Sequence, residues 1–118
     1  MIQEKILPEQ KLKTPRGSEF TLEDVTENHL ILIVGSKRNT IYLDLGCIEE
    51  LVEEFNSQPE DYEMKIGAVH DKPSLGSLDE IAQKYTSGVS AASYLAGILE
   101  YIDVFRIIRS RPHRITIK

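Results

Sequence analysis

Hydrophobic positions along this chain switch between a period of two and a period near 3.6, and each switch marks a predicted element. Phe20, Leu22 and Val25 line one side of a short strand, and Glu27-Asn28 supplies turn chemistry behind it. Leu30 to Val34 is an unbroken aliphatic run and predicts a strand buried on both faces. Gly35 to Asn39 breaks the run, after which Ile41, Leu43 and Leu45 alternate against Tyr42 and Asp44; the pair of runs reads as a β-hairpin. Beyond Gly46 the spacing changes. Ile48, Leu51, Val52 and Phe55 fall on one side of a helix, with Glu49, Glu50, Glu53 and Glu54 on the other, and Pro59 lies past its end.

A short strand is expected within 63–69. Ser77-Leu78-Asp79-Glu80 then has the form of a capping box, in which a serine hydroxyl accepts from the third helical N–H and a glutamate reaches back. Leu78, Ile81, Ala82 and Tyr85 continue as a helical stripe. After a turn over Thr86 to Val89, Ser90 is the expected N-cap of a third helix, whose stripe is Leu95, Ile98, Leu99 and Ile102. Val104–Ile108 and Arg114–Ile117 are β-prone, and Pro112 suits the turn between them. Residues 1–19, with Pro8 and Pro15 and no sustained period, read as an extended arm; 20–46 as a β-rich segment; 47–118 as a helical unit closed by a hairpin. The whole is expected to form one α+β domain, an N-terminal β-hairpin or meander followed by three helices and a C-terminal β-hairpin.

The composition keeps that picture and narrows it. An apolar share of 41% and a charged share of 28% are those of a folded globular chain. The longest aliphatic run, Leu30 to Val34, is far too short to cross a bilayer, so no membrane partner is expected. The opening residues lack a basic stretch followed by an apolar one, so no secretory signal is expected. Cys47 is the single cysteine and cannot form an intrachain disulfide, which suits a reducing, cytoplasmic setting.

Charge is distributed unevenly. Residues 1–63 hold 14 acids against 6 bases, whereas Arg106, Arg109, Arg111, Arg114 and Lys118 stand in the last fifteen positions without an acid among them. A basic end on an acidic body can steer a polyanion to one face, and Lys37 and Arg38 offer a second cationic point in the first hairpin. The equally weighted plain reading is a solvated hairpin whose bases offset the acidic body.

From Cys47 onward the elements run helix, strand, helix, turn, helix, strand, loop, strand. The helix from Leu78, the turn Gly88-Val89-Ser90, the helix Ala91 to Ile102 and the hairpin ending Arg114-Ile115-Thr116-Ile117 together resemble the winged-helix class of helix-turn-helix domains. The resemblance is one of pattern over residues 47–118. It implies DNA as partner and a transcriptional role, with Arg106, Arg109, Arg111, Arg114, Lys118, Lys37 and Arg38 as phosphate contacts. The third helix carries no Arg, Lys, Asn or Gln, the residues that read base edges best. Its small, aromatic face gives the alternative, a protein-interaction module in which Tyr94, Gly97 and Tyr101 meet a partner or a second copy.

Other chemistry finds no support in the residues. Gly35-Ser36-Lys37 lacks the glycine spacing of a phosphate loop and reads as a hairpin turn. His29, His70 and His113 have no ligand-spaced companions, so no metal or cofactor is expected, and His70-Asp71 has no nucleophile in its context. Cys47 near a helix start reads as a small buried thiol more readily than as a reactive one. The expected function is therefore binding and not catalysis.

Overall fold

The computed structural model describes residues 10–67, 76–86, 91–110 and 112–117. Four strands, β1 (Gln10–Lys13), β2 (Glu19–Val25), β3 (His29–Val34) and β4 (Asn39–Asp44), form an antiparallel sheet in the order of the chain. Helix α1 (Gly46–Asn56) follows, then β5 (Met64–Lys65), α2 (Leu78–Gln83), α3 (Ala92–Tyr101), β6 (Phe105–Ile108) and β7 (Arg114–Ile117). The last three strands form a second antiparallel sheet in which β7 lies between β5 and β6. The fold is mixed α+β, as the change of hydrophobic period implies.

The alternation in the first sheet is single-faced. Leu12 pairs with Phe20, Leu22 with Leu32, Leu30 with Leu43 and Leu32 with Ile41, all buried on the inner side. Val25 breaks the two-residue parity of Phe20 and Leu22, and an irregularity between Leu22 and Asp24 restores it. There the register jumps from Leu22↔Leu32 to Asp24↔Ile31, so Val25 comes opposite Leu30 on the same side. The aliphatic run in β3 is not buried on both faces as its composition suggests: Leu30, Leu32 and Val34 are buried, while His29, Ile31 and Ile33 remain half-buried on the outer side. Covering only one face of an antiparallel sheet is sufficient for its stability, and among the described residues the helices supply that cover on the inner face.

The stretch read as an arm contributes β1, which aligns Leu12 with Phe20 and closes a tight turn through Thr14, whose hydroxyl accepts from Ser18 N–H (3.1 Å). Residues 1–9 lie outside the described residues, as do Ser90, His70 and Asp71. The strand expected within 63–69 has as its described part Met64–Lys65, continued by Ile66 N–H donating to His113 O (3.0 Å). Ser77 caps α2 by accepting from Glu80 N–H (3.2 Å), and the Glu80 carboxylate accepts from Gly76 N–H (3.1 Å), a wider version of the expected box.

Every residue of the stripe Leu95, Ile98, Leu99 and Ile102 is buried, and so are Ala91, Ala92, Ala96 and Gly97. Helix α3 is therefore the central element of the core, not a helix with one free face. Leu51 and Phe55 of α1, Met64 of β5, Phe105 and Ile107 of β6 and Ile115 of β7 complete the core, with Phe55 set edge-on to both Phe105 and Tyr62.

Candidate nucleic-acid interface

The inner face of the β5-β7-β6 sheet is apolar: Met64 pairs with Ile115 and Ile115 with Ile107, all buried, and the buried Phe105 pairs with Ile117, which is exposed at the end of β7. Alternation then sends Lys65, Arg106, Ile108, Arg114 and Thr116 to the opposite face. Lys65 pairs directly with Arg114 across β5 and β7, and Arg106 lies on the next strand opposite Thr116. Lys65 and Arg106 are exposed. Among the described residues neither meets a carboxylate in an ion pair.

Arg114 is more constrained. Its guanidinium donates to Glu63 Oε1 (2.6 Å), to Ser110 Oγ (2.6 Å) and, through Nε, to Pro112 O (3.1 Å), and so holds the β6–β7 loop against β5. Arg109 turns the other way. Both of its terminal nitrogens donate to the Glu100 carboxylate at 2.7 Å, in a fork on the last turn of α3, and this hydrogen-bonded partner raises the Arg109 pKa above its ordinary value. Thus two of the expected phosphate contacts, Arg106 and Arg114, share a face with Lys65, while Arg109 lies off it.

Lys37 and Arg38 sit on the exposed β3–β4 turn of the other sheet. Arg38 N–H donates to Gly35 O (3.1 Å), and both residues take positive φ, +74° for Gly35 and +54° for Arg38. Arg111 and Lys118 lie outside the described residues.

Lys65 was absent from the sequence expectation. A signal existed: Met64 and Lys65 alternate apolar and charged next to a run that pairs with the basic hairpin. The strand order that brings Lys65 beside Arg114, however, joins residues far apart in the chain, and no local pattern encodes it.

The three residues of the alternative surface do not form one patch. Gly97 is buried beneath β1, where a Cβ would run into the carbonyl oxygen of Lys13 and approach Phe20. Tyr94 is half-buried and packs edge-on against Phe20, with ring centres 5.1 Å apart. Tyr101, at the end of the helix, is exposed. The exposed apolar side chains nearest it in the chain are Val104 in the turn after α3 and, opposite Phe105 in register, Ile117.

Cys47 is fully buried at the start of α1, and burial, reinforced by the Asp44 carboxylate, pushes its thiol up to about 12. A thiol held neutral in this way is a poor nucleophile. Nearby, Glu50 accepts from Lys84 Nζ (2.6 Å) and from the Tyr85 hydroxyl (2.9 Å), which lowers its pKa and ties α1 to the end of α2.

Comparison with protein-family models, with curated proteins and with solved structures finds no match to this chain. Among the described residues no helix is long and apolar enough to cross a membrane.

Proposed function

We propose that this protein is a non-catalytic, winged-helix-type DNA-binding module that grips duplex phosphates with the outer face of its C-terminal sheet. The observation that carries the reading is the register that sets Lys65 beside Arg114, with Arg106 on the same face of the neighbouring strand. The order α1-β5-α2-α3-β6-β7, with β5 joined to β7, follows the winged-helix pattern and supports it further. Phosphate contacts require cations on one surface and no base code. Since α3 is buried along most of its length, binding of this kind is indifferent to sequence.

Glu63 competes for the Arg114 guanidinium, but the pair is partly open to water. Such a pair contributes roughly 0–1 kcal/mol, so a phosphate can replace the carboxylate at small cost. The test is a salt titration with two duplexes of unrelated sequence. Affinity is expected to be equal for both and to fall steeply as salt rises, with Lys65→Ala and Arg106→Ala each lowering the slope by about one. Absence of binding at low salt ends the reading.

A second reading, a surface for a protein partner, is favoured by the exposed Tyr101, Val104 and Ile117 around the junction of α3 and β6. It moves the contact from the buried Gly97 face to the end of the helix. A chain that ignores DNA at low salt, with no partition by Lys65 or Arg106, leaves this reading in place.

A further inference from the structure

Strand β4 is the last strand of the first sheet, and its free side is set by two hydrogen bonds. Leu45 N–H donates to Asn28 O (2.9 Å), toward β3, while Asp44 N–H turns away and donates to Tyr85 O (3.3 Å). In an antiparallel ladder successive residues alternate between the two sides, so Leu43 and Ile41 bond to β3 and the backbone groups of Tyr42 and Thr40 point outward. Both residues are exposed, Tyr42 to 61%. Among the described residues nothing takes their outward N–H and C=O groups.

Edge strands are normally guarded by charge, proline, a bulge or a covering element. β1, at the other edge of this sheet, carries Lys11 and Lys13 and lies against α3 at Gly97. Among the described residues β4 has none of these guards from Asn39 to Leu43. The outer face beside it is also apolar, because Tyr42 pairs with Ile31 and Thr40 with the half-buried Ile33.

The geometry points to a homodimer in which β4 pairs antiparallel with β4 of a second copy, about a two-fold axis at Ile41. In that register Thr40 of each copy faces Tyr42 of the other, and each such pair exchanges two hydrogen bonds. A register shifted one way calls on the Asp44 N–H, which Tyr85 O already holds, and one shifted the other way calls on the Arg38 N–H, which Gly35 O already holds. The same axis brings the β3–β4 turn that carries Arg38 of one copy alongside the Asp44 end of the other's β4, so a cation lies near an anion at both ends of the ladder. It also sets Ile41 against Ile41 at the rim of the core and Tyr42 over Thr40 on the outer face. Backbone groups, charge and apolar area thus select one occupant, a second copy of this chain. The DNA reading is independent of this dimer.

Sedimentation over a wide concentration range tests it. The unaltered chain is expected to pass from monomer to dimer. Tyr42→Lys puts a charge on an exposed outer-face position, and Thr40→Pro removes an outward N–H that β3 does not use; each raises the dissociation constant about tenfold or more. Arg38→Glu, which sets like charges near each other, weakens the dimer in the same direction. A monomer at the highest concentration overturns the proposal, as does a dimer indifferent to Tyr42→Lys. If Thr40→Pro alters the circular dichroism spectrum, Tyr42→Lys alone decides.

Discussion

Gly97 of α3 lies directly beneath the carbonyl oxygen of Lys13 in β1, at a separation that leaves no room for a side chain. This contact joins the N-terminal sheet to the C-terminal helical unit. It explains how a helix written as Ala-Gly-rich comes to be buried along most of its length: small residues let a strand backbone and a helix backbone approach closely. The same closeness removes most of α3 from any external partner.

Gly97→Ala is expected to destabilise the fold by about 1–3 kcal/mol, because backbone at Lys13 cannot rotate aside as a side chain would. Denaturant unfolding checks this. A stability unchanged by the substitution would mean that β1 does not rest on α3.

Cys47 gives the fold an alkaline limit. Its folded-state pKa lies near 12 against an ordinary value of 9.0, so the folded state favours the protonated thiol. The stability this contributes is complete below pH 9.0 and is lost as pH rises toward about 12, because the unfolded thiol ionises first. The loss is at most about 1.4 kcal/mol per pH unit. Tyr85 and Lys84 have raised pKa values and act with the same sign. Cys47→Ala should therefore flatten part of the decline in urea midpoint over that range, and the native thiol should react with a disulfide reagent far more slowly than the unfolded one.

If the proposed phosphate face is right, releasing Arg114 from its carboxylate strengthens binding. Glu63→Gln frees Arg114 from its carboxylate and Glu100→Gln frees Arg109, each at a stability cost below about 1 kcal/mol. Duplex affinity at fixed salt is expected to rise, with a steeper salt dependence, in Glu63→Gln, and to stay unchanged in Glu100→Gln, because Arg109 lies off the basic face. Weaker binding in Glu63→Gln would show that the carboxylate positions Arg114 for the contact instead of competing for it.

Helix α2 depends on its first turn. It is six residues long, and Ser77 satisfies the Glu80 N–H. Ser77→Ala should cost about 0.5–2 kcal/mol by thermal or chemical unfolding. Its effect should appear as faster amide exchange at Glu80, with Asp79 N–H still held by Ile66 O, before the rest of the fold opens.

Local pattern made much of this architecture readable. The hairpin of β3 and β4, the α1 stripe of Leu51 and Phe55, the Ser77 cap and the terminal hairpin all depend on neighbours within a few residues. β1 was hidden because Gln10-Lys11-Leu12-Lys13, with Leu12 as its one apolar residue, carries too little periodicity; its strand character comes from pairing with β2. The arginines were legible as a basic segment, but not their partners. Glu63 precedes Arg114 by 51 positions and meets it because β5 is inserted beside β7.

What the residues determined alone is therefore the kind and order of elements, since hydrophobic period, capping and turn chemistry act over one or two turns of chain. Tertiary structure decided which faces remain available. Burial of α3 depends on β1 arriving over Gly97, and the separation of Arg109 from Arg106 and Arg114 depends on the Glu100 carboxylate at the end of α3 that holds it. Exposure of Thr40 and Tyr42 depends on β4 ending its sheet. Exposure is a property of long-range packing, and residues distant in the chain set it.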